Sequence, residues 1–538
     1  MVVGAMVAAA CSSGRGGSTE ASSPAPAVTT VTSSVAGSFT VVTTAVPTST
    51  SVVTTAPTTT APSTTDPPIA DQAPRAGATR LHFEVGPLDI QPGQNNISFS
   101  AGMPKPDRDG WIVRIAPNLR LADNTIPGVD VIHLHHGVWL NVTAKDRTMP
   151  TLPERFFAAG EEKTALVMPD GYGYRYRTTD TWVLNYMIHN LWPKQTQVWV
   201  TYDLDLVPAD GAVAGALTPV RPLWTDVQNG SAYPVFDARR DSGAEGTFTY
   251  PDDAAGAYGG GTAKNQWVAD RDYVLVGTAG HLHPGGLHSD LWLDRSGATA
   301  HLFTSTAHYW EPAGAVSWDV AMTATPPDWR VAVRAGDTLR TTATYDTTRA
   351  SWYESMGIMV VWAAEAPASG DAAPDPFVTP ADRPGVLTHG HLPENDNHGA
   401  RPDASYVDAA LLPSRPATAS IGIDGFVYAQ GDLQHADAVP TVVPGAAITF
   451  DNIDAPRGNG VWHTITSCKA PCTGSTGIAF PLADGEATFD SGELGNAGPP
   501  TAGRVTWTTP TDLAVGTYTY FCRIHPFMRG AFRVATPA

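Results

Sequence analysis

The clearest alternation of apolar and polar positions runs over residues 197–207, where Val198, Val200, Tyr202, Leu204 and Leu206 recur at every second place. That spacing puts the five side chains on one face of an extended strand. Patterns over Trp329–Tyr345 and Met356–Ala363, and the apolar run Tyr273–Val276, predict further strands, while helical periodicity is weak from residue 81 to 365. Stretches rich in Pro and Ala interrupt the pattern at 208–221 and 366–416. Residues 12–78 are dominated by Ser, Thr, Pro, Ala and Val and hold almost no large apolar side chain. Such a segment buries too little surface to offset its conformational entropy, which predicts a disordered stalk. The expected divisions are a leader at 1–11, the stalk at 12–78, β-rich parts at 79–208 and 209–365, a linker at 366–416 and a C-terminal domain at 417–538.

Composition agrees with an all-β body. Charged residues make up 16%, and 51 Gly and 46 Pro among 538 residues supply many turns. The formal charge of −19 with no basic block argues against nucleic acid or an anionic lipid surface as a partner.

Candidate chemistry is densest near the end of the chain. Cys522, His525 and Met528 are spaced Cys-x2-His-x2-Met. A thiolate with two imidazoles in a trigonal set, and a long axial Met bond, is the donor set of a blue-copper site. The second imidazole must come from an earlier strand, and His463 in Val461-Trp462-His463-Thr464 is the obvious donor. The run Cys522 to Gly530, with His-Pro-Phe-Met-Arg-Gly intact, resembles the copper loop of the amicyanin-type cupredoxins, as do Ile448–Asn452 and His463–Ile465. The resemblance implies a Greek-key cupredoxin sandwich holding one blue, type 1 copper for electron transfer. Cys468 and Cys472, just after His463, can pair as a small disulfide in an oxidising compartment, with two free thiols as the alternative.

The middle of the chain carries a second set of candidate ligands. His281 and His283 follow the Tyr273–Val276 strand and, two residues apart, point to one side. Imidazole suits several transition metals, and the thioether of Met356 as third ligand would favour Cu(I). Upstream lie His133, His135 and His136, and then His189. Strand alternation pairs His133 with His135 and separates His135 from His136, so the two adjacent rings can share a metal only across a bulge. His133 is expected as a strand or supporting residue. The polar cluster His389, His391 and His398 is expected to be a solvated loop.

The order of these segments (a His-His pair, a His on a later strand, His-x-His, then a Met opening a further strand) resembles the copper type II monooxygenases. These are the peptidylglycine α-hydroxylating and dopamine β-hydroxylating enzymes. The resemblance implies two tandem jelly-roll-like β-sandwiches ahead of the cupredoxin, each with one mononuclear copper. His135, His136 and His189 match the electron-transfer copper, and His281, His283 and Met356 match the copper at which O2 is used. Where the peptide-hydroxylating relatives have Arg before His-x-His, and Asn and Tyr after the Met, this chain has Ala279, Ile358 and Val360. An apolar wall does not hold a buried carboxylate, which predicts a weakly polar small-molecule substrate.

The expected function is O2-dependent C–H hydroxylation, with electrons passed from an external donor through the fused blue-copper domain. The alternative is an electron-transfer protein in which only the cupredoxin cycles and the middle region is a scaffold. Met1–Ala10, a short apolar run ahead of Cys11, resembles a bacterial lipoprotein signal. It implies an exported protein held at the outer face of the membrane only by lipid on Cys11, with simple secretion as the alternative.

Overall fold

The Thr196–Pro208 strand lies at the centre of the first sheet, and Val198, Val200, Tyr202, Leu204 and Leu206 are each at most 2% exposed. This computed structural model describes residues 68–192, 194–228, 234–254, 265–310, 314–315, 318–395, 406–455, 461–469, 472, 487–495 and 504–536. The expected leader with Cys11, most of the expected stalk, and His398 lie outside the described residues. Among those residues the regular elements are strands and short 3-10 turns, so the fold is all-β.

The central strand pairs antiparallel with Thr79–Ile90 on one side and Gly110–Leu121 on the other. Facing that sheet is a four-stranded one, ordered Ile97–Ala101, Trp182–Asn190, Ile132–Lys145, Pro153–Gly160. Large side chains, including Trp139, Phe156, Trp182 and Tyr202, belong to one buried core here.

The break at 208–221 does not separate two independent sheets. The chain leaves the central strand at Pro208, makes the 3-10 turn Ala214–Ala216, and enters strand Thr218–Asp226. That strand runs parallel to Tyr172–Tyr176, so one ladder continues into Ile358–Ala364 and Tyr273–His281. A second layer is built on Gly286–Arg295, paired with Ala298–Tyr309 and Thr338–Asp346. A core of Leu275, Leu291, Phe303, Trp329, Leu339 and Val361 belongs to this part.

The C-terminal part has a five-stranded sheet that includes Gly516–Phe521 and Arg529–Val534, and a four-stranded sheet that includes Ser420–Asp424 and Thr449–Asn452. Ile421, Ile448, Phe450, Tyr520 and Phe532 form its core. Cys468 and Cys472 are joined in a disulfide, and Arg529 Nη1 donates to the Cys472 carbonyl at 2.9 Å.

Two segments expected to be loose are packed. Residues 68–78 are anchored rather than free: Ala70 N–H donates to Thr388 O at 2.8 Å, and Arg75 donates to the carbonyls of Met168, Pro169 and Tyr172. Part of the expected linker adds strand Val386–Leu387 to Val320–Ala324. Glu394 then meets Lys163 at 2.8 Å, and Asn395 joins Val129 to Asp319. In each case polar side chains find buried partners that composition does not reveal.

Candidate metal centres

The first centre is set by the hairpin of Gly516–Phe521 and Arg529–Val534. Its loop closes on itself, with Cys522 N–H donating to Met528 O at 3.0 Å and Met528 N–H to His525 O at 2.8 Å. Cys522 Sγ lies 3.8 Å from His463 Nδ1 and 3.7 Å from His525 Nδ1, and the two nitrogens are 3.2 Å apart. A trigonal ion with bonds of about 2.1 Å to nitrogen and about 2.3 Å to sulfur needs edges of about this size. The far side of each ring is oriented. His463 Nε2 donates to Asp454 Oδ2 at 2.9 Å, and Asp454 is held by the N–H groups of Gly425 and Phe426. His525 Nε2 faces Gly93 O at 3.4 Å. Both Nδ1 atoms are thereby left for a metal. Cys522 also accepts N–H bonds from Thr464 and His525. Burial opposes the thiolate, but the imidazoles of His463 and His525 outweigh it and hold the thiol well below its usual range. Met528 is 1% exposed beneath the loop. This thiolate–imidazole set fits a copper ion.

The second cluster depends on a bulge. Strand Ile132–Lys145 pairs His133 with His189 and Leu134 with Ile188, but His136 with Met187, so His135 is an extra residue without a partner across the ladder. The bulge lets His135 and His136 approach, with ring centroids 5.8 Å apart. His133, His135 and His189 bring their ligand nitrogens within 4.8 Å of one another. The expected third member beside His135 and His189 is His136; the group found here contains His133, and the His136 ring lies beside that of His135. His133 Nδ1 bonds Val129 O at 2.7 Å, leaving Nε2 without a partner, as are both nitrogens of His135 and His189.

His281 ends its strand and His283 follows, with ring centroids 5.1 Å apart. Glu161 and Glu162, at the turn after Pro153–Gly160, enter the same space and are 2% and 0% exposed. Glu162 takes the Gly160 N–H and meets His281 Nδ1 at 3.0 Å. Burial raises Glu162, but His281 outweighs it and its acidity is increased. Burial and the neighbouring Glu162 push Glu161 well above the carboxylate range, and neither of its oxygens has a partner. Glu161, His135 and His283 form a further group with ligand atoms within 4.8 Å. A Cβ on Gly160 would lie 2.5 Å from His135 O and 2.6 Å from His281 Cε1, so only glycine lets the turn come this close. Met356 lies in the apolar core with Ala279, Ile358 and Val360. Its N–H and carbonyl both bond the Tyr345 hydroxyl, which also accepts the His283 N–H.

The centres are not separate. The His189 and His525 rings meet edge to face with centroids 5.6 Å apart. The His135 and His283 rings are 4.3 Å apart, and Trp318 stacks near His133 at 4.5 Å. A cavity of about 70 Å3 lies where all three parts converge, lined among others by His135, His189, His283, Trp318, Glu493 and Arg523.

No family model matches the chain, and no curated protein matches it. Among solved structures, a Cu(I) form of an amicyanin mutant is 20% identical over 25% of this chain and 95% of its own, with a TM-score of 0.14. A copper-containing nitrite reductase from Thermus scotoductus SA-01 is 16% identical over 50% of this chain and 59% of its own, at 0.15. PNGF-II is 10% identical over 52% and 65%, at 0.23. At such TM-scores these likenesses carry no argument; the geometry of the centres does.

Glu161, Glu162, Asp454, Trp318 and Gly93 were not singled out by sequence patterns. Glu161-Glu162-Lys163 reads as a charged turn, and only tertiary packing buries it. His389, expected in a solvated loop, is 3% exposed and its Nε2 bonds Glu162 O at 2.6 Å. His391 lies 3.5 Å from Asp319.

Proposed function

We propose that this chain is a copper-dependent oxidoreductase in which electrons enter at the Cys522 centre and pass by His525 and His189 into the buried histidine cluster. The carrying observation is the ring contact between His525, a corner of the Cys522 triangle, and His189, a corner of the His133–His135–His189 group. A bound copper supplies one-electron chemistry at each place. The chain does the rest. Cys522, His463 and His525 would hold the first ion in a buried pocket, with the thioether of Met528 as a further donor. Asp454 fixes the His463 ring, and Gly93 O fixes that of His525. His133, His135 and His189 would hold a second ion, and His281 and His283 face the same interior.

With O2 as oxidant the overall change would be R–H + O2 + 2 electrons + 2 protons → R–OH + water, the substrate being weakly polar and the reductant a one-electron protein donor. A second reading is favoured by the volume of about 70 Å3 at the junction, which suits O2 better than an organic substrate. In that reading O2 + 4 electrons + 4 protons → 2 water, and no co-substrate is consumed. Electrons used per O2 separate the two: two with an organic product, four without.

Cys522→Ser tests the path itself. It should remove the intense visible absorption of a copper thiolate and stop O2 uptake driven by a protein donor. Unchanged O2 uptake in that variant would sink the relay.

A further inference from the structure

Outside the Cys522 triangle, Glu161 is a buried carboxyl with no hydrogen-bond partner among the described residues. It is 2% exposed and neither carboxylate oxygen has a partner. A buried carboxylate without a partner is costly, and a metal ion removes that cost. Two ligand-type nitrogens stand beside it. His135 has no partner on either ring nitrogen and His283 has none on Nε2, and one ligand atom from each of the three residues falls within 4.8 Å of the others. The His283 backbone is pinned by the Tyr345 hydroxyl at 3.0 Å, which limits where its ring can go. His281, the neighbour that the motif would enlist, turns its Nδ1 to Glu162 at 3.0 Å.

We infer that His135, Glu161 and His283 form a two-histidine, one-carboxylate site for a divalent transition metal, Fe(II) or Zn(II) being the simplest probes. The physical reason is the donor set. Two imidazoles and an anionic oxygen suit a divalent ion of intermediate hardness, whereas two imidazoles and the Met356 thioether would suit Cu(I). His135 also belongs to the His133–His135–His189 group. With both its nitrogens open, one ring can serve the two sides as an imidazolate, one nitrogen to each, its N–H proton being released to solvent as the second ion binds.

The inference rests on the reading that this cluster binds metal, but not on the electron path. Its test uses the full chain, stripped of metal, with the Cys522 centre first loaded with copper and followed by visible absorption. The protein is then titrated anaerobically with Fe(II) and, separately, with Zn(II), and bound metal is counted after desalting. Wild type should retain two added ions per chain, one in the His133–His135–His189 group and one in this site, and it is the ion in this site that the variants read. Glu161→Gln, close to isosteric, should weaken that binding at least about 100-fold, more than loss of a supporting contact would, with the copper absorption unchanged. His283→Ala should abolish it, and Met356→Leu should leave it intact. Equal affinity in wild type and Glu161→Gln, or no uptake of either ion by wild type, overturns the site. Loss of binding in Met356→Leu but not in Glu161→Gln also overturns it, in favour of a His281/His283/Met356 site. Failure of the copper centre would appear independently, as missing visible absorption before any Fe(II) or Zn(II) is added.

Discussion

Asp226 shows what burial does to a single carboxyl in this protein. Its side chain is 0% exposed, and it accepts bonds from Trp224 Nε1 at 2.8 Å and Gln228 N–H at 2.7 Å. Burial outweighs these bonds and the Arg155 charge, and the pKa rises from 3.8 to about 6. A carboxyl raised on folding keeps a proton that the unfolded chain has already released. Its contribution to stability is therefore full below about pH 4, declines between about pH 4 and 6, and is constant above. A shift of this size corresponds to about 3 kcal/mol. Asp226→Asn keeps the shape and removes the titration. The variant should gain stability relative to wild type as pH rises through that window, and thermal unfolding from pH 4 to 7 measures it. Parallel curves for the two proteins would refute the account.

At the level of elements, Asn452 ties the strand Thr449–Asn452 to the loop that carries His463. Its Nδ2 donates to Val461 O and Leu494 O, and its Oδ1 accepts the N–H groups of Asp454 and Ala455. Asp454 in turn orients His463, so one amide holds both the path of the loop and the ring it presents. Asn452→Ala leaves buried carbonyl and N–H groups unpaired, at a cost of about 2–4 kcal/mol. Faster amide exchange at Asp454 and Ala455, a lower unfolding temperature and weaker copper retention at the Cys522 centre are the expected results. Unaltered exchange at those two amides would show that the loop is held by something else. The bulge at His135 acts at the same scale. One extra residue in the ladder decides which imidazoles converge, because the neighbouring strand sets where His136 must lie.

At the level of the molecule, the C-terminal part is docked so that His525 is 0% exposed against the first sandwich. The contact is close because Gly93 has no side chain. An added Cβ would lie 1.9 Å from Phe426 Cε1 and 3.1 Å from His525 Nε2, and the φ of +60° is one that L residues adopt at a cost. Gly93→Ala should displace Phe426 and open the seam between His189 and His525. The absorption of the copper-loaded Cys522 centre should persist, while electron transfer from it to the buried cluster should slow at least tenfold in single-turnover stopped flow. An unchanged transfer rate would mean that the seam is not the route.

The sequence by itself determined the strand-rich character, through two-residue alternation such as Val198 to Leu206, and marked the donor-type run Cys522, His525 and Met528, whose members are neighbours in the chain. It also marked the disulfide of Cys468 and Cys472, four residues apart. What it could not determine was which distant groups meet. His133 groups with His135 and His189, where His136 was expected, beside a register shift that is a property of two paired strands. Glu161 and Glu162 carry no signal in the sequence, because nothing local reveals that distant parts of the chain bury them. His389 and residues 68–78 are held by partners far away in the sequence. Local patterns report the backbone's own preferences and the chemistry of adjacent residues. Burial, and with it the need of a carboxylate or imidazole for a partner, arises only when separate parts of the chain pack together.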